Sequence, residues 1–156
     1  MQEKSKKKKI NSNIYISKNV NDTLNFAYNL AKKIKPNDIF CLEGDLGVGK
    51  TIIAKGISNF FNIKEEITSP TFTILKTYIV KNNPIKKINH FDLYRIKSID
   101  ELLNIGFEEY IYDNDSISII EWPEVSYELL PKNIKIIKIN KSLEDENYRE
   151  IKLIEK

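Results

Sequence analysis

The sequence predicts an α/β fold built on one mixed, mostly parallel central sheet, and three observations point there. Asp38 to Leu42 is a short apolar run, followed by a glycine-rich loop and then by apolar residues at helical spacing. Ser116 to Ile120 is a second apolar run, and it ends in an acid, Glu121. Between them, Thr71 to Val80 and Ile85 to Phe91 are extended segments joined only by Lys81-Asn82-Asn83-Pro84. So short a connection predicts an antiparallel hairpin, inserted beside the strand that enters the glycine loop.

Length and charge narrow the organisation. At 156 residues the chain can bury one core but not two ordinary ones. The net charge is only +3, and the Lys4 to Lys9 run supplies much of the excess. No broad basic face demands nucleic acid. Residues 1–12 read as a basic flexible tail, and residues 13–156 as the folded domain. Solvation explains such a tail, and contact with RNA or an acidic partner is the sharper alternative. The single cysteine, Cys41, has no internal partner, which suits a reducing compartment. It falls in a strand and reads as a small buried hydrophobe. With no membrane-length apolar segment and no signal-peptide core, a cytoplasmic location is expected.

The elements follow in order. Ile14-Tyr15-Ile16 predicts a short strand. Asn19 is placed to cap a helix with Asp22 in its first turn, and Val20, Leu24, Ala27, Ala31 and Ile34 fall on one face. Pro36-Asn37 ends it. The helix from Thr51 to Phe61 carries Ile52, Ile53, Ile57, Phe60 and Phe61, with Ala54 and Gly56 allowing close packing. Thr68-Ser69-Pro70-Thr71-Phe72-Thr73 is a polar loop leading into the hairpin. Ile99, Leu102, Leu103, Phe107 and Tyr110 predict a helical stretch interrupted at Gly106. Ile134 to Ile139 and Arg149 to Ile154 read as two final strands.

The chemistry centres on Gly44-Asp45-Leu46-Gly47-Val48-Gly49-Lys50-Thr51, which fits G-x-x-x-x-G-K-[ST] in the strand–loop–helix setting that motif requires. The chain therefore reads as a single-domain P-loop NTPase. Glycines let successive N–H groups curl around phosphate oxygens, and the helix N-terminus adds partial positive charge. Lys50 would bridge the β- and γ-phosphates, and the Thr51 hydroxyl would bind Mg²⁺. Open α/β sheets bind ligands at such strand ends.

A second oxygen ligand is needed for that cation, and two acids could supply it. Glu121 ends the more apolar strand, so composition favours it. Asp92, in His90-Phe91-Asp92-Leu93-Tyr94-Arg95, shares a strand face with His90. Asp92 could equally cap the turn at Leu93, and His90 could be a hydrogen-bonded strand histidine. Trp122 suits either core or an interface.

The P-loop, Ser69-Pro70-Thr71-Phe72-Thr73, His90 to Arg95 and Glu121-Trp122-Pro123 occur in that order. The series resembles the TsaE (YjeE) family, small ATPases of bacterial threonylcarbamoyladenosine synthesis, and the likeness runs from about Ile14 to Leu153. It implies slow, Mg²⁺-dependent hydrolysis of ATP, needed for repeated turnover by TsaD and TsaB homologues. That pair transfers a threonylcarbamoyl group to tRNAs reading ANN codons. tRNA would be met through the complex, with direct contact by the Lys-rich tail as an addition that should be salt-dependent.

By the same resemblance, Gly44, Asp45, Gly47, Val48, Gly49, Lys50, Thr51 and Ile52 hold the nucleotide. Thr51 and Glu121 hold the metal, and Lys50, Asp92 and Glu121 form the catalytic set. Asp92 would act near the γ-phosphate or the attacking water, and Ser69 to Phe72 would sense the nucleotide. Thr23 and Arg149 match positions associated with the nucleotide, Thr23 near the base. The chain departs from the family at Ile52, where many members carry a second Thr, and in its lysine run. Two other readings stand beside this one. A P-loop kinase would use Asp92 as base toward an acceptor hydroxyl, and a nucleotide-gated binding module would hydrolyse only incidentally.

Overall fold

A computed structural model describes residues 13–156, so the Lys4 to Lys9 run lies outside the described residues. The elements are β1 (Asn13–Ser17), α1 (Val20–Ala31), β2 (Ile39–Glu43), α2 (Lys50–Phe60), β3 (Leu75–Ile79), β4 (Lys87–Asp92), α3 (Ile99–Asn104), α4 (Phe107–Ile111), β5 (Ser116–Glu121), a 3-10 helix (Pro123–Leu129), β6 (Lys135–Lys141) and β7 (Arg149–Glu155). All seven strands join one sheet in the order β1-β7-β6-β2-β5-β4-β3. Its centre, β6-β2-β5-β4, is parallel, and antiparallel pairings close both sides. The mixed, mostly parallel sheet read from the sequence is what forms.

The hairpin also forms, but not where it was expected. β4 pairs with β5, so β5 stands between the hairpin and the P-loop strand β2. The reason is burial: every residue of β5 is buried, which suits a strand flanked on both sides and covered on both faces. β3, with Ile79 and Lys76 exposed, takes the sheet edge.

Alternation along the strands divides the core in two. Phe40, Leu42, Ile88, Ile117 and Ile119 pack with Ala27, Ala31, Ile53, Ala54 and Ile57 of α1 and α2. Ile39, Cys41, Phe91 and Ile120 pack with Leu102, Phe107 and Ile111 of α3 and α4. The two helices of the first layer approach closely at Gly56. A Cβ there would lie 2.5 Å from Ala27 Cβ and 2.8 Å from the Leu24 carbonyl oxygen.

Asn19 caps α1, its side chain accepting from the Asp22 N–H at 2.8 Å. Val20, expected on the buried face, is instead 57% exposed. It sits in the first turn, where Thr23 takes the inward position, hydrogen-bonded to Ser17 Oγ at 2.6 Å. Gly106, at φ 75°, supplies the left-handed break between α3 and α4. Among the described residues, no helix is long and apolar enough to cross a membrane.

Candidate active site

Strand β2 delivers the chain into the P-loop, and steric limits hold that loop's shape. Gly47 and Gly49 have φ of 75° and 118°, which L side chains rarely adopt. A Cβ on Gly44 would meet the Ile139 carbonyl oxygen of β6 at 2.6 Å and Val48 Cγ1 at 2.7 Å. Helix α2 then starts at Lys50 with no side-chain cap on its N-terminus. Its first N–H groups lack a side-chain partner and face the loop, as an anion site requires.

Lys50 is buried, yet its ammonium stays at the loop. Nζ donates to the Gly44 carbonyl and, at 3.4 Å, to the Asp45 carbonyl. It also lies 3.6 Å from the centre of the Trp122 ring. Burial lowers its pKa, and the charges of Glu121, Glu124, Asp92 and Asp45 oppose that shift. The result is a poorly solvated cation, so an anion there would bind it more strongly than in open water.

The acids arrive from the other side. Ile88, His90 and Asp92 of β4, and Ile117, Ile119 and Glu121 of β5, share the sheet face covered by α1 and α2. On that face both strands turn from apolar to polar as they reach the loop, and Asp92 lies opposite Glu121 in register. Thr51 Oγ1 donates to Glu121 Oε1 at 3.1 Å, across a sequence separation of 70 residues. Glu121 Oε2 is 2.7 Å from His90 Nε2.

Asp92 is held differently. Its Oδ2 accepts from Ser69 Oγ at 2.5 Å and from Thr71 Oγ1 at 3.0 Å, while Oδ1 accepts from the Tyr94 N–H at 3.0 Å. It therefore caps the turn after β4 and also tethers the 68–73 loop. The tether is a contact that spacing could not show. Trp122 sits in a left-handed conformation, φ 56°, directly after Glu121, and its ring packs against Tyr94 with centroids 4.9 Å apart and planes tilted by 56°. A bulky residue in that conformation is strained, and such strain clusters at functional sites. Tyr94 carried no distinguishing signal in the sequence.

These groups surround a cleft of about 390 Å³ lined by Leu46, Gly47, Gly49 to Ile52, Ser69, Thr71, Asp92, Tyr94, Glu121 and Trp122. A larger groove of about 630 Å³ lies between α1 and the β1, β7, β6 end of the sheet, and none of these residues lines it. Thr23 and Arg149 stand apart from the cleft lining. Thr23 faces Ser17, whereas Arg149 donates through Nε to the Val48 carbonyl at 2.9 Å and braces the loop from behind.

Thr51 Oγ1 and Glu121 Oε1 are hard oxygen donors within reach of one cation. Mg²⁺ suits them, because it keeps several waters and draws its remaining ligands from phosphates. Among the described residues, no group of three or more His, Cys, Asp or Glu side chains is placed to hold a metal ion by itself. Any cation here would thus depend on water and ligand oxygens to complete its shell.

A family model described as threonylcarbamoyl adenosine biosynthesis protein TsaE matches residues 17–151, a span holding every residue of this cleft. The chain belongs to the TsaE family. The tRNA threonylcarbamoyladenosine biosynthesis protein TsaE of Rickettsia felis is 42% identical over 135 residues, covering 86% of this chain and 75% of that protein. The TsaE of Bacillus subtilis is 38% identical over 112 residues, 72% of this chain and 67% of that one. The crystal structure of Bacillus subtilis YdiB aligns with a TM-score of 0.76 at 29% identity, over 94% of this chain and 86% of its own. The TsaE fold, a P-loop NTPase built on one sheet, is the fold of this chain.

Proposed function

We propose that this TsaE-family chain is a Mg²⁺-dependent ATPase acting with TsaD and TsaB homologues. Its hydrolysis supports threonylcarbamoyladenosine modification of tRNAs that read ANN codons. The observation that carries the reading is the meeting of Thr51 with Glu121 at the mouth of the P-loop. It joins the phosphate-binding and cation-binding halves of a nucleotide site. Family membership supports the pathway, since the relatives are described as tRNA threonylcarbamoyladenosine biosynthesis proteins.

The residues divide the work. N–H groups of 44–51 and the start of α2 take phosphate oxygens, and Arg149 keeps Val48 in place behind them. Lys50 exchanges its carbonyl contacts for phosphate oxygens, which accept a stronger, charge-assisted hydrogen bond. Trp122, pressed on Lys50, keeps water from that ammonium. Thr51 and Glu121 hold Mg²⁺, which when bound offsets negative charge on the phosphates. Asp92 orients and deprotonates the attacking water once Ser69 and Thr71 release Oδ2. A cytoplasmic setting agrees with the lone buried thiol, and tRNA is engaged through the partner complex.

Phosphate release from ATP by the purified protein, alone and with its own TsaD and TsaB homologues, tests this. Slow release alone and a clear rise with both partners is the expected result. No rise in a mixture shown to hold the assembled complex would overturn it. Label appearing on an acceptor hydroxyl would instead make the chain a kinase.

A further inference from the structure

His90 is the site's unabsorbed group. It lies on β4, next to the edge strand, with 1% of its surface exposed, flanked in register by Lys76 of β3 and Ile119 of β5. Its Nε2 meets Glu121 Oε2 at 2.7 Å, and its Nδ1 is buried with no hydrogen-bond partner. As a carboxylate, Glu121 only accepts, so the hydrogen between them belongs to His90. An imidazole placed merely to fill the core would leave a buried nitrogen unsatisfied for nothing, where a leucine would pack without that cost. The single bond it makes is therefore the feature to explain.

The bond divides the Glu121 carboxylate. Oε2 is fixed by His90 from within the sheet, and Oε1 is left facing Thr51 at the cleft. A free glutamate has three side-chain torsions and would sample orientations that carry Oε1 away from the hydroxyl. Ligating carboxylates are commonly held in this way by an outer hydrogen-bond donor.

We infer that His90 is a positioning residue: its Nε2–H locks Glu121 so that Oε1 and the Thr51 hydroxyl present one preformed cation site. The inference rests on the reading of Thr51 and Glu121 as the Mg²⁺ pair, and it assigns His90 no proton transfer.

The test is equilibrium binding of a fluorescent ADP to the full chain, titrated with Mg²⁺ at one fixed pH and repeated in EDTA. His90→Leu removes the donor, His90→Asn keeps an amide that is too short to reach, and His90→Gln places an amide near the position of Nε2. The Mg²⁺ concentration at half-effect should rise about 10-fold or more for His90→Leu and His90→Asn. It should return most of the way in His90→Gln, with EDTA binding unchanged throughout. Should His90→Leu fail to fold, as judged by circular dichroism, the Asn and Gln pair carries the same comparison.

Equal half-points in wild type and His90→Asn would overturn the proposal. So would an equal loss of nucleotide binding with and without Mg²⁺, because that marks a purely structural role. Glu121→Gln separates this failure from a deeper one. If it too leaves the Mg²⁺ half-point unmoved, the metal pair itself is wrong. If it raises the half-point while His90→Asn does not, only the role of His90 falls.

Discussion

The two halves of the cleft are built by different means. The loop half, proposed for phosphate, is one unbroken stretch, 44–51, which offers backbone N–H groups and one lysine. The acid half is assembled from Thr51, the ends of β4 and β5, and the 68–73 loop, all joined by side-chain hydrogen bonds. Sterics hold the first, since Gly44 has no room for a Cβ. Directed donors and acceptors hold the second. The first should therefore break when atoms are added, and the second when a single polar atom is exchanged.

The departure at Ile52 fits that contrast. Ile52 lines the cleft and brings no hydroxyl to it, while its N–H remains in the first turn of α2. A backbone-built half tolerates such a change better than the acid half would.

The largest effect should come from the acid half. Asp92→Asn keeps the shape but removes a base, so ATP hydrolysis should fall by about 10² to 10⁴ while nucleotide affinity stays near wild type. Single-turnover assays beside binding titrations would check both. Unchanged hydrolysis would take Asp92 out of the chemistry and leave it the turn cap and loop tether seen here. Its Mg²⁺ requirement should also shift less than that of Glu121→Gln. A reversed order in a Mg²⁺ titration would exchange the two roles.

Lys50→Ala comes next. It removes a charged donor to phosphate worth about 1.5–3 kcal/mol, so ATP should bind roughly 10- to 150-fold more weakly. Calorimetry giving unchanged affinity would contradict the assignment of this loop to phosphate. Gly44→Ala adds one methyl and removes no polar atom. Overpacking against Ile139 and Val48 should cost about 1–3 kcal/mol of stability, read in a denaturant titration. A neutral result would show the loop to be pliant, and would erase the contrast drawn between the halves.

The smallest effect lies outside both halves. Burial, with lesser contributions from Glu43 and Glu124, pushes the Cys41 thiol from 9.0 up to about 12. The folded protein keeps this proton where the unfolded chain loses it. The thiol's contribution to stability is therefore fully present below about pH 9 and lost as pH rises toward about 12. Denaturation across alkaline pH should show a steeper decline for wild type than for Cys41→Ala. Parallel slopes would mean the thiol is far less shielded than its burial implies.

Local chemistry explains what could be read early. The P-loop, the Asn19 cap, the break at Gly106 and the alternation of β4 all depend on residues within a few positions of one another. Glycine's freedom, a capping oxygen and a period of two are properties of the chain itself. The place of the hairpin depends on which strand is buried on both faces, and so β5, not the hairpin, stands beside β2. Val20 faces solvent for a similar reason, since helical spacing gives a face but not where its burial begins.

Sequence alone determined the α/β class, the glycine loop in its strand–loop–helix setting, and the two acids that end β4 and β5. Only the tertiary structure decided that Glu121 turns one oxygen to Thr51 and the other to His90, and that Asp92 ties down Ser69 and Thr71. It also decided that Arg149 braces Val48 while Thr23 turns to Ser17. The Glu121–Thr51 and Arg149–Val48 contacts follow from strand order and register, which join residues 70 or 101 positions apart. No local preference encodes those two, because each exists only once the sheet has closed its pairings, whereas Thr23 and Ser17 stand only six positions apart at the turn into α1.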